Sequence, residues 1–354
     1  MYVLKKILYS MQTFQRKNNS YGNEYRQNDG STYFIKNSIS IKIHIVGYRK
    51  QGESIIFFIK CDEKIVYAGL VDYYSLSELD MVKNILDESG VHHLDCICWT
   101  HPDNDHSRGL FKAINKYANE STVIWIPENI FEGELKYSDK CSNESLKLFA
   151  KLKEEAKKKE SKYSVHTVSD KKDLLFLNPI NFLYYNQKID FKIYSLAPSL
   201  KMALYEMFNN QYFKNNRSIC IAIELGGIRV LLTGDIENRG IHYIPDHEFS
   251  KHIDLLKIPH HGSSTASEMI NKIGIDSLNL ACATVYRIGK NNLPEINIME
   301  QYKEIAEKVF CTGKMNPNEE KEKYGVIVFE LSPLKKDIHY FRDGNAGIWG
   351  DNEE

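Results

Sequence analysis

Alternating apolar and polar residues predict two strand-rich regions in the chain. The first starts at residue 39, where SISIKIHIV, SIIFFIKC and IVYAGLVD are separated by short polar turns. We expect these segments to form a three-stranded antiparallel meander that ends at Asp72. The second region starts near residue 189 and contains, in chain order, IDFKIYSLAP, RSICIAIEL, IRVLLTGD, HIDLLKIP, LNLACATV, VFCTG and YGVIVFEL. Two strand-rich regions, each followed by helical segments, predict two sheets packed face to face with helices outside.

The helical segments have apolar residues three and four positions apart. Three of them are SLSELDMVKNILDESG, GLFKAINKY and INIMEQYKEIAEKV. A fourth, SLKLFAKLKEEAKKKESK, is amphipathic and lysine-rich, and it lies in an inserted stretch at about residues 130–185. We interpret its charged face as solvated. The alternatives are a contact with a polyanion or with a protein partner.

Composition changes along the chain suggest how it is organised. Residues 1–35 are rich in Asn, Gln, Tyr and Ser and have no sustained hydrophobic period, so we expect a poorly structured N-terminal extension. Residues 36–335 carry the predicted strands and helices and form the expected folded domain, with the helical insert at about 130–185. Residues 336–354 are expected to be a C-terminal tail.

Overall composition is that of a globular protein, since 42% of the 354 residues are hydrophobic and 26% are charged. The net charge of −1 leaves no overall basic field, so any polyanion must be bound locally. The seven cysteines include no CxxC pair, which favours a reduced protein. No segment approaches the roughly 18 apolar residues of a membrane span, and no signal-peptide core is found. These features predict a cytoplasmic protein without a membrane span.

Three predicted strands end in side chains that can bind metal ions. A buried strand leads into HPDNDH, another into LLTGD, and a third into PHHGS. A polar group at the end of a buried strand is unfavourable unless its charge is compensated, and imidazoles and carboxylates are ligands for Zn²⁺, Mn²⁺ and Fe²⁺. We therefore predict a metal site, the alternative being polar loops with capping aspartates. The candidates are His101, Asp103, Asp105, His106, Asp235, His260 and His261.

The motifs HPDNDH, LLTGD and PHHGS, in this order, resemble those of the metallo-β-lactamase superfamily of metal-dependent hydrolases. The HxDxDH form together with TGD and HHGS is similar to the metallo-hydrolase domain of ComEC-type bacterial DNA-uptake proteins and of related hydrolases. The resemblance covers roughly residues 39–332. It implies an α+β fold, a four-layer αββα metallo-β-lactamase sandwich to which the lysine-rich helical insert is added. It also implies two divalent metal ions, Zn or Mn.

The resemblance also implies roles for individual residues. His101 and Asp103 would hold one metal ion, and Asp235 would bridge the two ions. Asp105 and His106 would hold the second ion, together with one of the two adjacent histidines. We favour His261 for this position, which would place His260 beside the leaving group or the phosphate. The remaining implied roles are water orientation by Asp105 and support of the ligand loop by Asp72.

The chain departs from the family pattern at two places. The more usual motif is HxHxDH, and many relatives supply a further histidine just before the hairpin that carries TGD. Here that region reads FKNNRSICIAIEL, with Asn216 or Ser218 as the nearest polar candidate. A site poorer in nitrogen favours Mn²⁺ or weakly held Zn²⁺. Similar domains also carry a histidine in a later Asn-rich loop, where this chain has Leu293 in NNLPE.

The expected reaction is hydrolysis of a phosphodiester in DNA, RNA or a nucleotide, that is, a phosphodiesterase or nuclease activity. Candidate substrate-binding residues are Arg108, Ser263, Ser264 and Asn292, although the serines could instead cap the helix that follows them. One alternative is a small-molecule esterase, lactonase, thioesterase or phosphocholine-type esterase. Another is a partner-dependent subunit that docks through the helical insert.

Overall fold

The apolar segments of the chain form strands of two large sheets and one small sheet. The computed structural model describes residues 31–128, 142–158, 160–208 and 214–351. The expected extension up to residue 30 and part of the insert therefore lie outside the described residues. The strands are β1 (Ser31–Ile35), β2 (Ile39–Tyr48), β3 (Glu53–Cys61), β4 (Lys64–Val71), β5 (Cys96–Cys98), β6 (Val123–Pro127), β7 (Ser164–Val168), β8 (Ile180–Tyr184), β9 (Gln187–Ile189), β10 (Phe191–Ala197), β11 (Cys220–Leu225), β12 (Ile228–Leu232), β13 (Ile253–Lys257), β14 (Leu278–Ala283), β15 (Ala306–Cys311), β16 (Tyr324–Ser332), β17 (Asp337–Gly344) and β18 (Gly347–Ile348).

Helices follow several of these strands. The α-helices of the described residues are α1 (Met81–Glu88), α2 (Asn104–Ser107), α3 (Leu110–Tyr117), α4 (Asn143–Glu155), α5 (Leu200–Phe208), α6 (Asn238–His242), α7 (Glu268–Ile273) and α8 (Ile296–Ile305). Helix α1 begins after Asp80, whose side chain accepts a hydrogen bond from the backbone N–H of Lys83. Among the described residues, no helix combines the length and the apolar character needed to cross a bilayer.

Each large sheet combines antiparallel and parallel pairing. The eight-stranded sheet has the order β17-β16-β2-β3-β4-β5-β6-β7, and the expected antiparallel meander of β2, β3 and β4 is confirmed. From β4 to β7 the neighbouring strands are parallel. The seven-stranded sheet has the order β10-β11-β12-β13-β14-β15-β18 and is parallel from β12 to β15. Parallel strands place their carboxyl ends along one edge, so each sheet presents several strand ends together.

The two large sheets share one hydrophobic cluster. Ile41, Ile43 and Ile45 of β2 belong to the same buried cluster as Ile223 and Val230 of the other sheet. Alternate residues of each sheet pack on its opposite face against helices, namely α1, α3 and α4 on the eight-stranded sheet and α7 and α8 on the seven-stranded sheet. The protein is thus a mixed α/β structure with several sheets, compatible with an α+β sandwich.

Several segments differ from the expected organisation. Ser31–Ile35, at the end of the expected extension, forms β1 and pairs with β8. The insert contains the lysine-rich helix α4 but also β7, the edge strand of the eight-stranded sheet, so it is not wholly helical. The expected C-terminal tail contributes β17 and β18 to the two large sheets, which corrects that expectation. Strand β17 carries few buried side chains because it is an edge strand, which leaves a weak hydrophobic pattern.

The expected helix INIMEQYKEIAEKV is shorter than its pattern suggests. Helix α8 ends at Ile305, and the next residues form β15, which pairs in parallel with β14. Pairing with a central strand of the sheet outweighs the local helical periodicity there.

We expect Phe57→Ala to lower the free energy of unfolding by about 3–5 kcal/mol, because Phe57 is fully buried between the two sheets and its loss leaves a cavity. Urea denaturation followed by circular dichroism measures this change. Phe341→Ala is the matched control, since Phe341 is 62% exposed and its replacement should change the free energy by no more than about 0.5 kcal/mol. Equal effects of the two substitutions would contradict the assignment of the core.

Candidate metal centre

Parallel strand ends from both sheets deliver the candidate ligands. Asp72 directly follows β4 and His101 follows β5, while Asp235 follows β12 and His261 follows β13. Backbone hydrogen bonds join neighbouring loops, including one from the N–H of Asp72 to a carbonyl oxygen of β5. All four side chains are buried. The strands of both sheets therefore bring acids and imidazoles to one interior point.

The loop that carries HPDNDH is held by a short chain of hydrogen bonds. The indole N–H of Trp99 donates to Ser107 Oγ over 2.9 Å, and this hydroxyl donates to the backbone oxygen of Asp103 over 2.6 Å. Asp105 and His106 lie in the one-turn helix α2. The loop can therefore present its imidazole and carboxylate groups in a fixed direction.

Four side chains surround a single point at the centre of the site. His261 Nε2 lies 3.2 Å from Asp105 Oδ2 and 3.4 Å from Asp235 Oδ2. His106 Nε2 lies 3.3 Å from Asp235 Oδ1 and 3.5 Å from Asp105 Oδ2. The two Nε2 atoms are 3.3 Å apart. Ligands about 2.1 Å from a tetrahedral ion are separated by roughly 3.4 Å, so the distances between these imidazoles and carboxylates match those around one transition-metal ion.

The hydrogen bonds of the two imidazoles determine where their protons lie. His106 Nδ1 is 2.7 Å from Asp72 Oδ2, which can only accept. His261 Nδ1 is 2.8 Å from Thr284 Oγ1, and that hydroxyl donates to Glu53 Oε2 over 2.5 Å, so it accepts from the ring. Both rings thus carry a proton on Nδ1, and in the neutral rings both Nε2 lone pairs face each other. Two lone pairs at this separation require positive charge between them.

His101 is oriented in the same way. Thr100 Oγ1 donates to Asp72 Oδ2 over 2.6 Å and therefore accepts from His101 Nδ1, which is 3.0 Å away. His101 Nε2 is buried and has no hydrogen-bond partner among the described residues. It lies 3.7 Å from Asp235 Oδ2 and 3.8 Å from Asp103 Oδ2. A third imidazole nitrogen thus lies near Asp235, which is also close to the Nε2 atoms of His106 and His261.

The charges of the site shift the pKa values of its members. Burial lowers the pKa of His261, but the carboxylates of Asp235, Asp105 and Glu53 outweigh burial and raise it to about 9. Burial raises the pKa of Asp235, but His261 and His106 outweigh it and hold this pKa well below the ordinary range. Burial also raises the pKa of Asp103, to about 6. Protons on Nε2 thus supply positive charge. A metal ion that binds here would replace these protons, which would be released.

A buried ion pair lies on the Nδ1 side of the His261 ring. Lys257 Nζ lies 2.7 Å from Glu53 Oε2, and both side chains are almost completely buried. The same carboxylate oxygen accepts the hydrogen bond of Thr284, which in turn accepts from His261. Nothing in the sequence pattern marked Glu53, apart from a charged residue at the start of an apolar strand. The geometry places it with His106, Asp235 and His261 as a group able to hold a metal ion.

The two adjacent histidines point to different sides. His260 and His261 both have positive φ, 47° and 54°, in the turn after β13. His260 Nε2 is 4.0 Å from Asp235 Oδ2, while its Nδ1 is 2.8 Å from Thr265 Oγ1 and 3.3 Å from Glu237 Oε1. The geometry therefore favours His261 as the ligand. Two successive positive φ angles cost roughly 1–3 kcal/mol each, which is typical of functional sites.

The contacts of the four expected substrate-binding residues are with residues outside this cluster. Arg108 donates to Tyr74 Oη over 3.3 Å. The backbone N–H and the hydroxyl of Ser264 both donate to Glu295 Oε1 over 2.8 Å.

The remaining two serve local turns or face solvent. Ser263 Oγ accepts from the backbone N–H of Thr265, which is the capping alternative. Asn292 is exposed in the loop between Tyr286 and Leu293, and its side chain makes no hydrogen bond to the described residues.

The loop with the missing histidine contains an unexpected charge. Asn216 is one candidate for the place of that histidine, but its side-chain nitrogen donates to Glu237 and its side-chain oxygen accepts from the backbone N–H of Gly240. Ser218, the other candidate, is buried. Among the described residues of this loop, Lys214 reaches the cluster, because its ammonium forms an ion pair with Asp103. A single lysine before a turn carries no sequence signal of this contact, because only the folded loop brings it there.

No protein-family profile matches the chain, and no curated protein sequence matches it. Among the similar solved structures is the crystal structure of a protein described as a metal-dependent hydrolase from Parabacteroides distasonis. The two sequences are 18% identical, and the similar region covers 67% of this chain and 84% of that chain, with a TM-score of 0.35. The buried cluster of His, Asp and Glu side chains could hold a metal ion. The individual ligand roles stay predictions.

Separate replacement of the two histidines distinguishes ligand from neighbour. His261→Ala should lower the amount of bound Zn²⁺ or Mn²⁺, because it removes an Nε2 atom from the centre of the cluster. His260→Ala should leave the metal content unchanged, since its ring is held by Thr265 and Glu237. Plasma mass spectrometry of dialysed protein measures both. The reverse result would assign the ligand to His260.

Asp72→Asn should weaken metal binding by about 10–100-fold, because His106 loses the carboxylate that fixes its Nδ1 proton. Asparagine tolerates the positive φ of 55° at this position, so the backbone should be retained. Competition with a chromophoric chelator measures the affinity. Asp246→Asn, at an exposed carboxylate paired with Lys272, is the control and should leave the affinity unchanged. Unchanged affinity in Asp72→Asn would show that Asp72 has no such role.

Proposed function

We propose that the chain is a metal-dependent hydrolase of the metallo-β-lactamase superfamily, in the ComEC-like subgroup, and that it cleaves phosphodiesters in nucleic acids or nucleotides. The observation that carries this proposal is the pair of Nε2 atoms of His106 and His261, 3.3 Å apart and flanked by Asp105 and Asp235. The two large sheets with helices on their outer faces support the αββα sandwich of that superfamily.

The donor set is suited to Zn²⁺ or Mn²⁺, since it combines imidazole nitrogens with carboxylate oxygens. A divalent ion, when bound, lowers the pKa of a coordinated water to about 7. The proposal requires one ion, held by Asp105, His106, Asp235 and His261. The second ion expected from the resemblance would bind among His101, Asp103 and Asp235.

Asp105 is placed to orient the attacking water. Burial raises its pKa, but His106 and His261 outweigh burial and lower it to about 2, so the group is a carboxylate at neutral pH. A carboxylate accepts a hydrogen bond from a water and directs the lone pair of that water towards the substrate.

N–H groups on the other side of Asp235 support an anionic substrate. His260 lies at the edge of the cluster, and its Nε2 is 3.2 Å from the side-chain nitrogen of Asn215. The ammonium of Lys214 lies next to Asp103. The ammonium can donate to phosphate oxygens. His260 Nε2 accepts from the Asn215 amide and lies beside the place proposed for the leaving oxygen. The exposed lysine face of helix α4 remains part of the proposal as a contact for a nucleic-acid or protein partner.

A substrate panel tests the proposal. The purified protein, loaded with Mn²⁺ or Zn²⁺, should hydrolyse bis(4-nitrophenyl) phosphate and at least one of single-stranded DNA, double-stranded DNA, RNA or a nucleotide. Asp105→Asn should lower the rate by about 10²–10⁴-fold, because the amide orients and deprotonates water poorly. Asp87→Asn, on the exposed face of helix α1, is the matched control and should keep full activity.

Two results would overturn the proposal. Hydrolysis of a lactone or thioester with no cleavage of any phosphoester would assign the small-molecule alternative. Full phosphodiesterase activity of Asp105→Asn would show that this cluster is not the active site.

A further inference from the structure

The position expected for a first metal ion already borders a positive charge. Lys214 precedes the turn Asn215–Arg217, and its ammonium forms an ion pair with Asp103 Oδ1. The lysine side chain is only 12% exposed and that of Asp103 only 6%. This is a buried contact rather than a pair on the protein surface, so water screens it weakly.

The atoms around this ammonium are those that a first ion would need. The other oxygen of Asp103 lies 3.8 Å from His101 Nε2, which is 3.7 Å from Asp235 Oδ2. His101 Nε2 has no hydrogen-bond partner among the described residues. A divalent ion bound here would stand close to the ammonium, and like charges in a buried site repel strongly.

The loop that carries Lys214 is anchored. Asn216 Oδ1 accepts from the backbone N–H of Gly240 over 2.7 Å. Arg217 Nε donates to Glu206 Oε2 over 2.7 Å, and both of these side chains are buried. Because the residues directly after Lys214 are fixed on two sides, the lysine is held beside Asp103 by the fold.

We propose that the Lys214 ammonium takes the place of the first metal ion, so that the protein binds one divalent ion and not two. The ion occupies the cluster of Asp105, His106, Asp235 and His261. Lys214 supplies the second positive charge, which faces an anionic substrate group bound beside the ion. A lysine suits this position because its ammonium is a compact charge on a flexible stem. The inference rests on the proposed function, since it assumes that the cluster binds a metal ion.

Metal counting tests this inference. The unchanged protein, dialysed with Mn²⁺ or Zn²⁺ and then with buffer, should contain one ion per chain by plasma mass spectrometry. Lys214→Met removes the charge at similar length and should raise the content to two ions. Lys214→Arg keeps the charge and should contain one. Lys272→Met is the matched control, because Lys272 is also a poorly exposed, ion-paired lysine but belongs to the Asp246 pair, and this variant should contain one ion.

Anomalous scattering from crystals of the unchanged Mn²⁺ protein gives a test that needs no variant. One peak near His106 and His261 is expected, and a second peak beside His101 and Asp103 would overturn the inference. Two ions in the unchanged protein, or one ion in folded Lys214→Met, would also overturn it while leaving the proposed hydrolase intact. No ion in any of the proteins would refute the proposed function itself.

Discussion

The site depends on three hydrogen bonds that hold the protons of His101, His106 and His261 on Nδ1, the ring atom that faces away from its centre. Asp72 accepts from His106 and, through Thr100, fixes His101, while Thr284 accepts from His261. Each ring is thereby left with its Nε2 atom directed at the acids. Without positive charge among them, these lone pairs and carboxylates would repel one another in a buried environment, where such repulsion is strong. The need for positive charge, from protons on Nε2 or from a metal ion, is therefore a property of the fold and does not depend on any comparison with another protein.

The sheets explain how so many polar groups can share one interior point. In both large sheets the pairing changes from antiparallel to parallel, so that strand ends from each arrive at the same place. The buried pair of Glu53, in β3, and Lys257, in β13, connects the two large sheets next to the candidate ligand His261. Removing one partner of such a pair would leave an uncompensated charge, so the pair ties the geometry of the site to the integrity of the sheets.

Much of this architecture follows from local pattern, and the parts that do not have physical reasons. The meander and the strand that precedes Asp235 can be predicted from the sequence, because the residues of buried strands alternate between apolar and polar or are continuously apolar. Strand β17 cannot be predicted in this way, because an edge strand buries few side chains and so needs few apolar residues. Glu53 and Lys214 act through contacts with residues far away in the chain, and no spacing rule encodes those contacts. The choice between His260 and His261 depends on two backbone angles, which the letters HHG do not specify.

The left-handed turn at these histidines has a consequence for which residues the chain can accept there. The two ring centroids are 6.4 Å apart although the residues are neighbours in sequence. This divergence exists only while both residues keep a positive φ, a conformation that β-branched side chains strongly disfavour. Position 260 should therefore accept asparagine, aspartate or glycine more readily than valine, isoleucine or threonine. The shape of the backbone therefore limits the residues that this position can accept, as does the chemistry of the side chain.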